Sequence, residues 1–337
     1  MHSHRRNFCG MLAAVPAAAS LAALGLPLSA RAAAGRYPDK PISVVVPFAP
    51  GGNTDIVARL IGNSLNQRLG TNLVIDNRAG AGGNIGAIAA ARSRPDGYNL
   101  IYSTATTFSI NPHIYTKLGF DPLKDFVPIA VTISVPVVLV VSADSGIKTL
   151  KELAQRARAN PKSVSYGSNG NGTSSHIACH VLAQKMGAPT ALHVPYKQGP
   201  QVLTDLQGGQ LTYAFDAYSV VGPLVRAGRL VALAVSGKER LEAAPDVPTV
   251  AEALGTDYEI VTWNAFCAPA GTPAPMVETL RLAIQQSLAE PAVLKRLVAD
   301  GVPPYPAMTQ AQTQAFFASE FERWGKLVKL VGADATN

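Results

Sequence analysis

Charge is scarce in this chain. Asp, Glu, Lys and Arg make up 15% of its 337 residues, and aromatic residues only 7%. The formal net charge is +7, yet the basic side chains are scattered. The stripe of Lys and Arg that a nucleic acid would need is missing. Cysteine occurs three times, too few for a disulfide framework. Cys9 falls near the start, and Cys179 and Cys267 are expected as two buried free thiols, with a pairing left open. Beyond the first 34 residues no stretch approaches the roughly 18 apolar residues of a membrane span. Signatures of chemistry are missing too. There is no G-x-x-x-x-G-K-[ST] run, and Gly80 to Gly86 places Ile85 where a dinucleotide fingerprint needs glycine. Ser168 and Ser174 lack the flanking glycines of a nucleophile elbow.

What is present begins with a leader. Arg5-Arg6-Asn7-Phe8 precedes an Ala-rich apolar stretch from Met11 to Leu28, and Ala30-Arg31-Ala32 offers small residues for a signal peptidase. Residues 1–34 are therefore expected to be an export signal, and the paired arginines favour the twin-arginine route over the general one. Cleavage within 32–34 removes three arginines and no acidic residue, which lowers the net charge to +4. The chain is then expected in the periplasm. About 300 residues remain, near the size where a single core divides into two lobes.

The rest of the chain is organised around residues 42–55. Ile42 to Val46 is β-branched and apolar and reads as a buried strand. Pro47, Pro50, Gly51 and Gly52 stop it, and Asn53, Thr54 and Asp55 open a helix to residue 69. A strand, a glycine turn and a helix with free first amides make an anion site, although the same glycines also suit any tight connection. The pattern repeats: strand 73–75 before the loop 77–84, then strand 100–102 before Ser103 and Thr104. Strand 164–166 precedes the loop 167–173, with helices 85–91, 149–159, 174–186 and 200–207 between strands. Such alternation implies a parallel sheet with its ligand crevice beyond the carboxyl ends of the strands. An apolar segment, Val131 to Val141 with Pro136 inside it, and a strand 230–235 are read as two crossings. They divide the chain into one lobe of 37–135 plus 234–337 and a second of 136–233. Helices at 275–288, 290–299 and 309–330 close the chain.

The candidate ligand loops 47–55, 80–86 and 167–174 contain one charged residue, Asp55. An anion there must be held by backbone N–H groups, helix dipoles and hydroxyls, with no Arg clamp. Asp216, at the end of a strand, either meets the ligand or caps the helix from Tyr218. His176 and His180 share a helix face as metal ligands can, but no third ligand is signposted. No metal and no cofactor is expected.

At this point the residues resemble a known family. Residues 47–55, 77–83, 166–176, 194–197 and 246–252 look, in that order, like the motifs of Bug-type periplasmic substrate-binding proteins of tripartite tricarboxylate transporters. The likeness spans nearly all of 38–331. It departs at Gln198-Gly199-Pro200, where glycine usually follows the lysine directly, and at His180, where an acid is commoner. The resemblance implies an α/β, two-lobed type II periplasmic-binding-protein fold whose two crossover strands form the hinge. It also implies a non-enzymatic protein that captures a small organic carboxylate and delivers it to a membrane permease. Loop reading and resemblance together give the expected ligand set. Phe48, Gly52, Asn53, Thr54, Asp55, Ala81, Gly82, Gly83, Ser103 and Thr104 come from the first lobe. Ser168, Asn171, Gly172, Thr173, His176 and Asp216 come from the second. The expected partners are that acid and the permease subunits, with no nucleic acid, and the protein itself a monomer. Two rival readings stay open: an exported hydrolase or metalloenzyme using His176 and His180, and a ligand-sensing module for a signalling receptor.

Overall fold

The computed structural model describes residues 37–197 and 199–331. The expected export signal therefore lies outside the described residues, as does Gln198.

The β-branched run Ile42–Val46 forms β1, and α1 follows over Asn53–Leu69 after the glycine turn. Gly70, left-handed at φ 65°, ends α1 by returning its N–H to the Asn66 carbonyl. Then come β2 (Leu73–Asn77), α2 (Asn84–Ala91) and β3 (Asn99–Thr104). Residues 106–113 coil into one wide and one tight helical turn that the sequence did not announce. The crossing expected at 131–141 is a longer strand, β4, running over Phe126–Ser142. The second series is α3 (Leu150–Ala159), β5 (Ser165–Ser168), α4 (Ser174–Lys185), β6 (Leu192–Pro195), α5 (Gly199–Gln207), β7 (Tyr213–Ala217), α6 (Tyr218–Arg226) and β8 (Leu230–Val235). Thr149 and Glu152 close a reciprocal cap on α3. Thr249 and Glu252, within the 246–252 motif, do the same for the short α7 (Val250–Leu254). After it β9 (Val261–Pro269) returns to the sheet, and α8 (Ala274–Leu288), α9 (Pro291–Ala299) and α10 (Gln310–Val331) finish the chain.

The strands form one mixed sheet in the order β2-β1-β3-β9-β4-β7-β5-β6, with β8 also on β4. The fold is α/β. β4 is long enough to serve two groups of partners: Phe126 to Pro136 pair with β9, and Val137 to Ser142 pair with β7 and β8. The change of partners falls between Pro136 and Val137. Ser236, fully buried, sits at that point with its hydroxyl between the Val137 amide and the Ile260 carbonyl.

Apolar side chains fill both faces of the sheet. Val44, Ile61, Phe266 and Leu280 belong to one cluster, Phe215, Trp263, Phe317 and Trp324 to another. Both indoles of the second cluster, Trp263 and Trp324, donate to Glu320 at 2.8 and 3.0 Å, so the carboxylate is buried with its partners in place. Cys179 and Cys267 are fully buried free thiols. Cys179 belongs to α4 and Cys267 to β9.

Candidate functional site

Turns at the carboxyl ends of the strands surround a cavity of about 950 Å³. Phe48, Gly52, Asn53 and Thr54 reach it from the β1–α1 turn, and Ala79 to Gly83 from the turn before α2. Asn169 to Asn171 and Thr173 to Ser175 come from the β5–α4 turn. Tyr196 and Lys197 follow β6, while Asp216 and Ala217 end β7.

The residues that open four helices all line this space: Gly52 for α1, Gly83 for α2, Thr173 for α4 and Ala217 for α6. Three of them, Gly52, Gly83 and Ala217, place no side-chain bond on the first helical turn. The positive ends of helix dipoles, three of them without a side-chain cap, therefore collect around one volume. Thr173 differs, because its hydroxyl takes the His176 amide at 3.4 Å. Ala81 holds the left-handed value φ 48°, a rare strain for a residue with a Cβ. Gly83 has no alternative to glycine, since a Cβ there would lie 2.4 Å from Thr107 Oγ1.

Of the side chains that line the cavity, Lys197 and Asp216 carry charge. Lys197 is exposed at the rim. Asp216 accepts from the Ala217 amide at 2.8 Å, and burial pushes its carboxyl up to about 6. Hydrogen bonds also join the elements around this space. Ser219 Oγ, in α6, donates to Asn53 Oδ1, in α1, at 2.7 Å. The Ser174 amide of α4 donates to Thr106 Oγ1 at 3.3 Å.

Of the sixteen residues expected from sequence, the structure gathers Phe48, Gly52, Asn53, Thr54, Ala81, Gly82, Gly83, Thr104, Asn171, Thr173 and Asp216 around the cavity. It places five outside the lining, each for a physical reason. Asp55 is buried and accepts from the Gly51 amide, Asn77 and Arg59, each at 3.0 Å. Burial opposes its charge, but Arg59 and those donors hold its carboxyl below the usual range. Asp55 thus holds the glycine turn in shape. Ser103 alternates with Thr104 along β3 and is fully buried. Gly172 packs on Ile114, where a Cβ would come within 2.3 Å of Cδ1. Ser168 bonds His193 Nε2 at 2.7 Å. His176 takes the Gly172 amide at 3.0 Å on Nδ1 and stacks on His193, ring centroids 3.8 Å apart.

That histidine geometry also bears on the metalloenzyme alternative. His180 turns to Tyr166 at 3.5 Å and Gln184 at 3.0 Å. Among the described residues no group of three or more His, Cys, Asp or Glu is arranged to hold a metal ion.

Several lining residues carried no sequence signal. Val135, Val137, Thr262 and Asn264 form the strand floor, and Phe215, Val220 and Tyr115 add apolar surface. Strands announce themselves by apolar pattern, and a floor position looks like any core position.

Residues 57–333 match the family described as the tripartite tricarboxylate transporter family receptor. The chain belongs to that family. Solved receptors of similar fold include the periplasmic binding protein BugD, 33% identical with a TM-score of 0.83, which covers 88% of this chain and 99% of its own. A second, from R. palustris and solved with adipate, is 32% identical with a TM-score of 0.85, covering 88% of this chain and 99% of its own. A third, MatC from Rhodopseudomonas palustris with bound malate, is 32% identical with a TM-score of 0.80, covering 87% and 100%. The fold is that of these periplasmic binding proteins. Like its Bug relatives, this receptor is a solute-binding protein and not an enzyme.

Proposed function

We propose that this receptor is exported to the periplasm, captures a small organic carboxylate in the cavity and delivers it to the permease of a tripartite transporter. The observation that carries the proposal is the set of four helix N-termini around one volume in which the cationic side chain, Lys197, stands at the rim. Main-chain amides and dipoles hold an anion there without a guanidinium clamp. The structural neighbours solved with adipate and malate support the carboxylate class.

In this reading the chain divides into lobes of 37–135 plus 234–337 and of 136–233, and the protein acts as a monomer. The partner change within β4 between Pro136 and Val137 supports that division. Hinge motion at this point and after β8 opens and closes the cavity, and an acid bound by turns from both lobes favours the closed form. The permease then reads the closed form.

Differential scanning fluorimetry against a panel of mono-, di- and tricarboxylates tests the reading. An acid present at 100 times its dissociation constant stabilises the fold by about 2.7 kcal/mol. A panel in which no acid raises the melting temperature refutes it.

A further inference from the structure

The turn at residues 80–83 lines the cavity in a backbone shape that most peptides avoid. Gly80 is at φ 136°, Ala81 at 48°, Gly82 at 63° and Gly83 at 97°, so positive angles follow one another without a break. The glycines make such angles accessible without selecting them, and the run persists only where its surroundings over-determine it. Asn111 supplies that restraint. Its Nδ2 donates to the Gly82 carbonyl at 2.9 Å and to Asn84 Oδ1 at 2.6 Å, and Thr107 Oγ1 reaches the same carbonyl at 3.5 Å. A carbonyl only accepts, which fixes the end of the Asn111 amide that faces it. The N–H of the same peptide, on Gly83, donates to the Gly80 carbonyl at 3.0 Å. The 82–83 peptide is therefore held at both ends and turns over only if both bonds break.

Asn111 is itself fixed. It is fully buried, its N–H donates to the Thr106 carbonyl, and its carbonyl accepts from the Ile114 and Tyr115 amides at 3.0 and 2.9 Å. Its Oδ1 is buried with no hydrogen-bond partner among the described residues. An apolar side chain of this size avoids that cost, so what asparagine contributes here is its donor. The same segment also meets the β5–α4 turn. Thr106 Oγ1 accepts the Ser174 amide at 3.3 Å, and Ile114 packs against Gly172. Residues 106–114 thus brace two of the turns that surround the cavity.

We propose that Asn111 is a positioning residue for ligand capture, which locks the 80–83 turn in the one backbone shape that receives the acid. It acts through Gly82 and makes no contact with the acid itself. The inference rests on the carboxylate reading of the cavity and names what keeps one of its turns receptive before the acid arrives. A turn that is receptive for only part of the time raises the apparent Kd in inverse proportion to that fraction. The effect is the same for every acid, because it precedes any contact that tells one acid from another.

Isothermal titration with adipate, malate, citrate and benzoate tests this on wild type, N111L and N111A, well below their melting temperatures. N111L loses both Asn111 hydrogen bonds and weakens every acid that wild type binds at least about fivefold, by a common factor. A residue that only stabilises the fold lowers the melting temperature and leaves the Kd of the folded protein unchanged. N111A removes the same donor without added bulk, so it reads the proposal should N111L not fold. In the 15N-labelled variant without acid, the Gly82 and Gly83 amide signals broaden or double, and a saturating acid returns each to one sharp signal. An unchanged Kd in a folded variant, acids weakened by unequal factors, or wild-type Gly82 and Gly83 signals overturns the inference alone. Wild type that binds no acid of the wider panel overturns the carboxylate reading and this inference with it.

Discussion

The Val137 amide donates to the Ser236 hydroxyl at 2.8 Å where β4 changes partners. The same hydroxyl donates to the Ile260 carbonyl at 2.6 Å. The Ser236 backbone adds two further bonds, its N–H to the Val137 carbonyl at 2.8 Å and its carbonyl from the Ile260 amide at 3.0 Å. One buried residue therefore ties together three chain segments, two of them far apart in sequence.

The first prediction concerns that residue. S236A leaves the Val137 N–H and the Ile260 carbonyl without the hydroxyl, in a place water does not reach. The variant is expected to lose about 1–3 kcal/mol of unfolding free energy, measured by urea denaturation. A loss below about 0.5 kcal/mol, the level of an ordinary surface change, contradicts the assigned role.

The second concerns the stacked imidazoles of His176 and His193. Burial, with the neighbouring histidines adding to it, pulls His176 down to about 3 and His193 down to about 4. Both are neutral in the folded protein, so the unfolded chain takes up protons first as pH falls. Their contribution to stability is complete above about 6.5 and is lost as pH drops from there toward 4. Between pH 7 and pH 5, H193Q is expected to lose about 1–2 kcal/mol less stability than wild type. Parallel pH curves for the two proteins sink the prediction.

The third concerns the Ser219–Asn53 bond, which joins α6 to α1. A neutral hydrogen bond contributes about 0.5–1.5 kcal/mol. S219A is therefore expected to weaken carboxylate binding by about 2- to 10-fold, chiefly through faster release, with little change in melting temperature. Stopped-flow dissociation of a bound acid checks this. An unchanged release rate shows that the bond takes no part in closure.

The fourth concerns Asp216, which burial pushes up to about 6. Here the sign is opposite to that of the histidines. The folded protein holds the proton more tightly than the unfolded chain, so the contribution is full below about 3.8 and is lost as pH rises through 6. D216N is expected to melt at a higher temperature than wild type at pH 7.5, with the gap closing near pH 4. Removing the negative charge also relieves repulsion on an anion in the cavity, so wild-type affinity for carboxylates rises as pH falls through 6 and that of D216N stays flat. Titrations at pH 5 and pH 8 decide it, and identical pH profiles for the two proteins refute the role given to Asp216.

Much of the fold was legible because its β–α turns are written in residues with one structural use. Pro50-Gly51-Gly52 ends a β-branched run and precedes a helical repeat, and α1 begins at Asn53. The capping pair Thr149 and Glu152 marks α3 in the same way. β9 was not legible. Its residues from Thr262 onward are buried throughout, so the alternation that identifies a strand with one wet face is missing. The site divides along the same line. Turn residues such as Asn53, Gly83 and Asn171 were readable as loop chemistry. Thr262 and Asn264 were hidden in a strand that pattern alone does not reveal. His176, expected at the cleft from its place in the helix, takes its stacking partner, His193, from a different strand.

The central placement of β9 also governs the order in which the molecule is completed. β3 and the first part of β4 pair with a strand that follows them by well over 100 residues. Until residues 261–269 arrive, both are open edges with apolar faces, and contacts of such long span form slowly. A chain interrupted before β9 leaves two unpaired edges rather than a finished lobe, and such edges invite pairing between molecules. Premature termination near residue 255 thus yields an aggregating species instead of a smaller, working receptor.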